Sequence, residues 1–192
     1  MMPMPSSDRR KHASGHRVAI DAALLSAALM LSYLEHLIPF GPLTHFLGFK
    51  PGFANIVTVL AFSLLSPLDA LAVSLLRVGI TGVLFGSWTS LFFSFCGACM
   101  AFLALLLSRR ILRRCSYVGV SVFCAAAHNL GQLFAAAVLV ARPSQGLEMT
   151  NLATRFLPVL LPAAVICGSL TGVLLNLLAP RLERGLQRWK NA

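Results

Sequence analysis

Long, nearly uncharged apolar stretches alternate with short polar segments along most of this chain. Crossing a hydrocarbon layer about 30 Å thick takes about 20 helical residues. Measured against that length, the pattern predicts six transmembrane helices, at residues 18–38, 52–66, 69–86, 88–107, 116–141 and 156–179. Pro and Gly lie at most of the junctions, where they interrupt regular structure. We therefore predict an all-α integral membrane protein built as a six-helix bundle, with a short second helix.

The ends of the chain are polar and basic. Residues 1–16 predict a disordered cytoplasmic tail, residues 17–180 the transmembrane domain, and residues 181–192 a basic cytoplasmic C-terminal tail. The apolar run that opens the domain is longer than the about 7–15 residues of a signal-peptide core, so we interpret it as the first spanning helix.

Basic residues indicate the orientation of the bundle. Of the sixteen Lys and Arg residues, twelve form three clusters outside the apolar stretches. These clusters are Arg9, Arg10, Lys11 and Arg17; Arg109, Arg110, Arg113 and Arg114; and Arg181, Arg184, Arg188 and Lys190. Lys and Arg are retained on the cytoplasmic side during insertion. Six spans with both termini cytoplasmic place all three clusters inside and only Lys50, Arg142 and Arg155 outside.

Composition supports a membrane protein. Hydrophobic residues make up 57% of the chain and charged residues 11%, against about 25% charged residues in soluble domains. The net charge of +10 sits at segment ends without the interleaved aromatic residues that bind single-stranded nucleic acids. We expect contact with the lipid bilayer and no nucleic-acid partner.

Ionisable residues at membrane depth are costly and often mark functional sites. Glu35, Arg77 and His128 are the clear instances. Arg77 lies near the middle of the third helix, and we predict that it pairs with Glu35. The alternative is that backbone carbonyls hold Arg77 while Glu35 faces the aqueous rim.

The fifth helix carries the densest polar group. His128, Asn129 and Gln132 share a broad face among small residues, and Asn55 can join them from the second helix. With Glu35 and Arg77, these side chains converge on the outward half of the bundle. They predict a ligand pocket loaded from outside; the alternative is that they only form interhelical hydrogen bonds.

Motifs for catalysis and metal binding are missing from the sequence. There is no phosphate-binding loop, and the three Asp residues stand apart, so no aspartate-rich magnesium diphosphate site can form. Cys96 and Cys99 form a C-x-x-C inside an apolar helix, where we interpret them as small packing residues. We expect no enzyme activity, no cofactor and no metal.

Several runs together resemble a known family. They are LSYLEHLIP at 31–39, PGFANIV at 51–57, LRV at 76–78, GVLFG at 82–86 and GVSVFCAAAHNLGQL at 119–133. The chain resembles the bacterial Gx transporter family, also labelled heptaprenyl diphosphate synthase component I, over roughly residues 20–178. This chain departs from the family pattern at the start of the second helix: Pro-Gly-Phe follows Lys50, whereas the family pattern is Lys-Leu-Gly-Leu.

That family is similar to the substrate-binding S components of energy-coupling-factor transporters. The resemblance implies a six-helix uptake subunit of the bacterial inner membrane that depends on partner transmembrane and ATPase subunits. S components often dock through small residues on the first helix, a role that would fall here on Ala19, Ala23 and Ala27.

We therefore expect a subunit that captures a small anionic or carboxyl-bearing ligand from outside. Arg77 would attract the charge, and Asn55, Asn129 and Gln132 would orient the ligand. Glu35 and His128 complete the predicted binding site. The alternative, suggested by the older family label, is a non-catalytic membrane accessory subunit of heptaprenyl diphosphate synthesis.

Overall fold

The computed structural model of the chain describes residues 7–37, 52–85, 87–111, 116–140 and 149–191. These residues are almost entirely helical, and no strand occurs among them. The helices are α1 (Ser7–Leu37), α2 (Asn55–Leu64), α3 (Pro67–Phe85), α4 (Trp88–Ile111), α5 (Tyr117–Val140) and α6 (Met149–Asn191). The all-α prediction is confirmed, and each predicted helix has its counterpart.

Five of the helices are long and apolar enough to cross a membrane: α1, α3, α4, α5 and α6. α2 has 10 residues, which makes it about 15 Å long and shorter than predicted. α6 has 43 residues and extends beyond the predicted last helix at both ends. α1 likewise begins at Ser7, so helix continues into the segment predicted as a tail.

The outer surface of the bundle is strongly apolar. Large hydrophobic side chains are widely exposed, among them Trp88 at 88%, Val83 at 80% and Ile166 at 69%. A soluble protein rarely exposes such continuous apolar surface, whereas lipid tails solvate it without cost. The exposed surface therefore fits a protein surrounded by hydrocarbon.

The short helix α2 lies in the centre of the bundle. Its residues Ile56 to Ala61 are all buried, and α2 contacts each of the other five helices. A helix that is hydrophobic all round is stable only when it is surrounded by apolar neighbours. Here the surrounding protein takes the place of lipid, which explains how so short a helix is accommodated.

Polar contacts fix the direction of the first three helices. The backbone N–H of Ala54, just before α2, donates to the Glu35 carboxylate near the end of α1 (3.2 Å). After α2, Asp69 accepts from the Arg17 guanidinium near the start of α1 (2.6 Å). α2 therefore runs back along α1, and α3 returns so that its last residue lies beside the last turns of α1. We name the two ends of the bundle the Leu37 end and the Arg17 end.

Glycines bring α5 and α6 into close contact. A Cβ added to Gly168 would lie 2.6 Å from the Cα of Val122, and one added to Gly172 would overlap the Cα of Val118. The two glycines are four residues apart on α6, the spacing with which membrane helices approach closely. This pair of helices has the most extensive contact in the bundle.

We predict that Gly172→Ala destabilises the protein, because its methyl group would force α5 and α6 apart. Overpacking of this kind typically costs about 1–3 kcal/mol, which would lower the thermal unfolding temperature in detergent. The matched control is Gly79→Ala on α3, where an added Cβ meets nothing within 4 Å. Equal unfolding temperatures for the two variants would contradict the close α5–α6 contact.

Candidate ligand-binding site

Arg77 is the centre of a buried polar group in the half of the bundle nearer the Leu37 end. Its side chain is 6% exposed. Nη1 donates to Ser32 Oγ on α1 (3.3 Å), and Nη2 donates to Asn55 Oδ1 at the start of α2 (3.4 Å). Nε is buried and meets no acceptor among the described residues. The guanidinium is therefore held by two long contacts to neutral groups and keeps donor capacity to spare.

Glu35 belongs to the same group but does not form the predicted direct pair. Its carboxylate is buried and acts on Arg77 electrostatically. Among the described residues, however, Arg17 and Asp69 form the ion pair within 4 Å, and Glu35 and Arg77 do not. Arg77 donates instead to Ser32 and Asn55. Backbone carbonyls, the alternative acceptors for Arg77, are not among its described contacts either. Two neutral side chains satisfy it in part.

The His128 ring fills a slot between two glycines. An added Cβ on Gly97 of α4 would lie 2.6 Å from its Cε1, and one on Gly52 would lie 3.3 Å from its Cδ2. Gly52 also has a φ of 79°, a backbone conformation that favours glycine. His128 Nε2 lies 3.0 Å from Gln132 Nε2 one turn further along α5. The imidazole is thus fixed in position beside Asn55.

Asn129 faces α6 instead. Its Nδ2 donates to the backbone carbonyl of Leu160 (2.8 Å), within the part of α6 that carries Pro158 and Pro162. This is the interhelical hydrogen bond that the sequence left open as an alternative. The structure thus brings five of the six predicted site residues into one group and places Asn129 between α5 and α6.

Sequence reasoning missed Ser32, Gly52 and Gly97 as parts of this group. Ser32 lies one turn before Glu35 on the same face of α1, a spacing that could have indicated it. Gly97 stands inside the C-x-x-C, and its role becomes visible only once α4 lies against His128. Cys96 and Cys99 are half-buried free thiols.

A small cavity adjoins the polar group. Its volume is about 20 Å³, enough for about one water molecule. It lies between α2, α5 and α6, and its lining is Gly52, Asn55, Ile56, Val59, Ser121, Cys124, Ala125, Cys167 and Thr171. Asn55 therefore contacts Arg77 and also borders the cavity.

The remaining predicted features lie elsewhere. Ala19, Ala23 and Ala27 are exposed on α1, away from the polar group. Among the described residues no three His, Cys, Asp or Glu side chains come together as a metal site.

The polar group around Arg77 offers hydrogen bonds from a buried cation, which suit an anionic partner.

We predict that Gly97→Ala and His128→Ala are strongly coupled. The methyl group of Gly97→Ala clashes with the imidazole, so the single variant should lower the free energy of unfolding. In a His128→Ala background the slot is vacant, and the same methyl group should cost little. A double-mutant cycle should give a coupling energy of about 1–3 kcal/mol. Additive effects would contradict the fitted slot.

Comparisons with known proteins support one family. Residues 24–178 match the family model described as heptaprenyl diphosphate synthase component I, which is the family also named the Gx transporter family. The match includes all six predicted site residues. No curated protein and no solved structure gives a significant match. Because the family model covers most of the chain, the chain belongs to the heptaprenyl diphosphate synthase component I family.

Proposed function

We propose that this protein is the substrate-capturing membrane subunit of an uptake system and that it binds a small anionic molecule at Arg77. The observation that carries the proposal is the buried guanidinium, whose Nε meets no acceptor among the described residues. A charged group at membrane depth is costly, and an anionic ligand would supply the acceptors that Ser32 and Asn55 supply only in part. The protein would bear that cost because Arg77 is needed for binding.

The surroundings of Arg77 favour selective binding over general anion attraction. Glu35 offsets part of its charge, so a ligand must also form hydrogen bonds to be held. Asn55, His128 and Gln132 offer amide and imidazole groups for this, while Gly52 and Gly97 hold the imidazole in place. Asn129 would contribute indirectly, by joining α5 to α6 behind the site.

The proposed arrangement has six membrane passages with both termini in the cytoplasm of a bacterium. The reversals from α1 to α2 and from α2 to α3 support it, since α2 joins the two ends of the bundle inside a protein shell. With the basic clusters inside, the Leu37 end faces outward. The Arg77 group would then be reached from outside the cell.

Energy for release would come from partner subunits. The exposed face of α1 with Ala19, Ala23 and Ala27 would dock a partner transmembrane subunit, since small residues allow close helix approach in membranes. That partner would carry the ATPases. The subunit itself would perform no catalysis.

The binding proposal is tested by native mass spectrometry of the protein purified in lipid nanodiscs from its own host. Wild type should retain a small molecule, and Arg77→Gln should lose it because the cationic donor is gone. Arg17→Gln is the matched control, since Arg17 lies at the other end of α1 in contact with Asp69. Equal retention by Arg77→Gln and wild type would contradict the role of Arg77.

The orientation is tested with reporter fusions. Green fluorescent protein fused after residue 192 should fluoresce, and alkaline phosphatase fused there should be inactive. Alkaline phosphatase fused after residue 145, between α5 and α6, should be active. An active phosphatase at the C-terminus would contradict the six-passage arrangement.

The family description favours one further candidate, a membrane accessory subunit for isoprenoid diphosphate synthesis. A cytosolic synthase would then dock at the Arg17 end, where α6 extends with Arg181, Arg184 and Arg188 exposed. Gentle purification separates the candidates. Stoichiometric co-purification of a prenyl synthase without ATPases would favour the accessory role, and co-purification of an ATPase pair would favour uptake.

A further inference from the structure

A serine hydroxyl that makes no hydrogen bond among the described residues lines the cavity next to the Arg77 group. Ser121 of α5 is 4% exposed, its Oγ has no hydrogen-bond partner among the described residues, and the side chain lines the cavity. A buried hydroxyl without a partner is unfavourable and is rare in folded proteins.

Several other hydroxyl groups in these helices differ from Ser121. They bond to a backbone carbonyl of the preceding turn, as Thr171 Oγ1 does to Cys167 (2.9 Å) and Ser108 Oγ does to Leu105 (2.7 Å). Such bonds satisfy a hydroxyl inside its own helix. Ser121 makes no such bond, so its Oγ remains available to a group in the cavity.

The cavity adjoins the site around Arg77. Asn55 borders the cavity and accepts from Arg77, so a single side chain separates the two. On α5, Ser121, Ala125, His128 and Gln132 follow one another at intervals of four, three and four residues. That spacing places them along one face of the helix. One stripe of α5 therefore runs from the cavity to the polar group.

We propose that the cavity is the inner subsite of the ligand pocket and that Ser121 binds a small uncharged hydrogen-bonding group of the ligand, such as a hydroxyl or carbonyl. This inference rests on the proposed function, because the anionic group of the same ligand would lie at Arg77. The ligand is then a short organic anion that carries a neutral polar group at its other end. Ile56 and Val59, which line the cavity, would contact the apolar atoms of the ligand between its anionic group and its neutral polar group.

The size of the cavity limits the group that it accepts. With about 20 Å³ available, a group of roughly the volume of one water molecule fits. Bulky rings are excluded from this subsite in the conformation described. The specificity of the site would therefore depend on one small polar group that lies a short distance from the charge.

The test measures binding of the molecule that wild type retains from its host, in the full-length protein in nanodiscs. Once its mass has identified it, that molecule is titrated into washed protein. Ser121→Ala should raise the dissociation constant about tenfold, because a buried hydrogen bond is lost. Ser169→Ala, a half-buried serine of α6 outside the cavity lining, should leave the constant unchanged.

A second variant tests the volume of the subsite. Ala125→Leu fills the cavity and should abolish retention, with folding checked by thermal unfolding. Should that variant fail to fold, the smaller Ser121→Ala change decides alone.

The two proposals fail in distinguishable ways. Wild-type affinity in Ser121→Ala, with loss of ligand in Arg77→Gln, would overturn the inner subsite and leave the proposed function standing; the cavity would then hold only water. Retention by Arg77→Gln, or a wild-type protein that carries no small molecule, would overturn the proposed function and the subsite with it.

Discussion

A guanidinium buried at membrane depth is the constraint on which this structure depends. Arg77 is buried in the middle of α3, and hydrocarbon offers it no acceptor. The bundle meets this need by bringing Ser32 of α1 and Asn55 of α2 within 3.3 Å and 3.4 Å of its terminal nitrogens. Asn55 can take this place because α2 begins beside the last turns of α1. The buried, ten-residue α2 is thus tied to the position of the charge.

The bundle divides into a tightly packed pair and a more polar region. α5 and α6 meet through Gly168 and Gly172, with glycine against backbone, and Asn129 adds a hydrogen bond to Leu160. On the other side of α5, the His128 ring lies between Gly52, just before α2, and Gly97 of α4, with Gln132 beside it. One helix therefore joins a rigid interface to the polar group. A ligand held at Arg77 would lie against the firmly supported side of the bundle.

Much of this arrangement could be predicted from the sequence, because hydrocarbon imposes strict rules on length and charge. The apolar stretches predicted the helices, and the rarity of ionisable residues within them indicated Glu35, Arg77 and His128. The length of α2 was harder to predict, since an apolar run has the same composition whether it faces lipid or protein. Its burial depends on the neighbouring helices.

Side-chain partners depended on details that spacing does not contain. Glu35 was the obvious carboxylate for Arg77, yet the described contacts of Arg77 are to neutral oxygens. Asn129 is adjacent to His128 in sequence, but neighbouring residues of a helix point about 100° apart. The Asn129 side chain therefore faces α6 instead. Ser121 lies in the run at 119–133 that resembles the family, but it was not predicted as a site residue, because a serine in a membrane helix usually bonds to its own backbone. Its importance emerged only from the cavity beside it.

Under the proposed function, the polar group around Arg77 serves ligand binding and does not stabilise the fold. The most direct test is the free energy of unfolding of the ligand-free protein in a defined lipid, with wild type compared to a Glu35→Gln/Arg77→Met double variant. Replacing buried charges by neutral groups of similar volume is often neutral or stabilising, and sites kept for function commonly reduce stability. We predict that the double variant is at least as stable as wild type. A loss of about 3 kcal/mol or more, at the upper end of what substitutions usually cost, would show that these side chains stabilise the fold and would contradict this role.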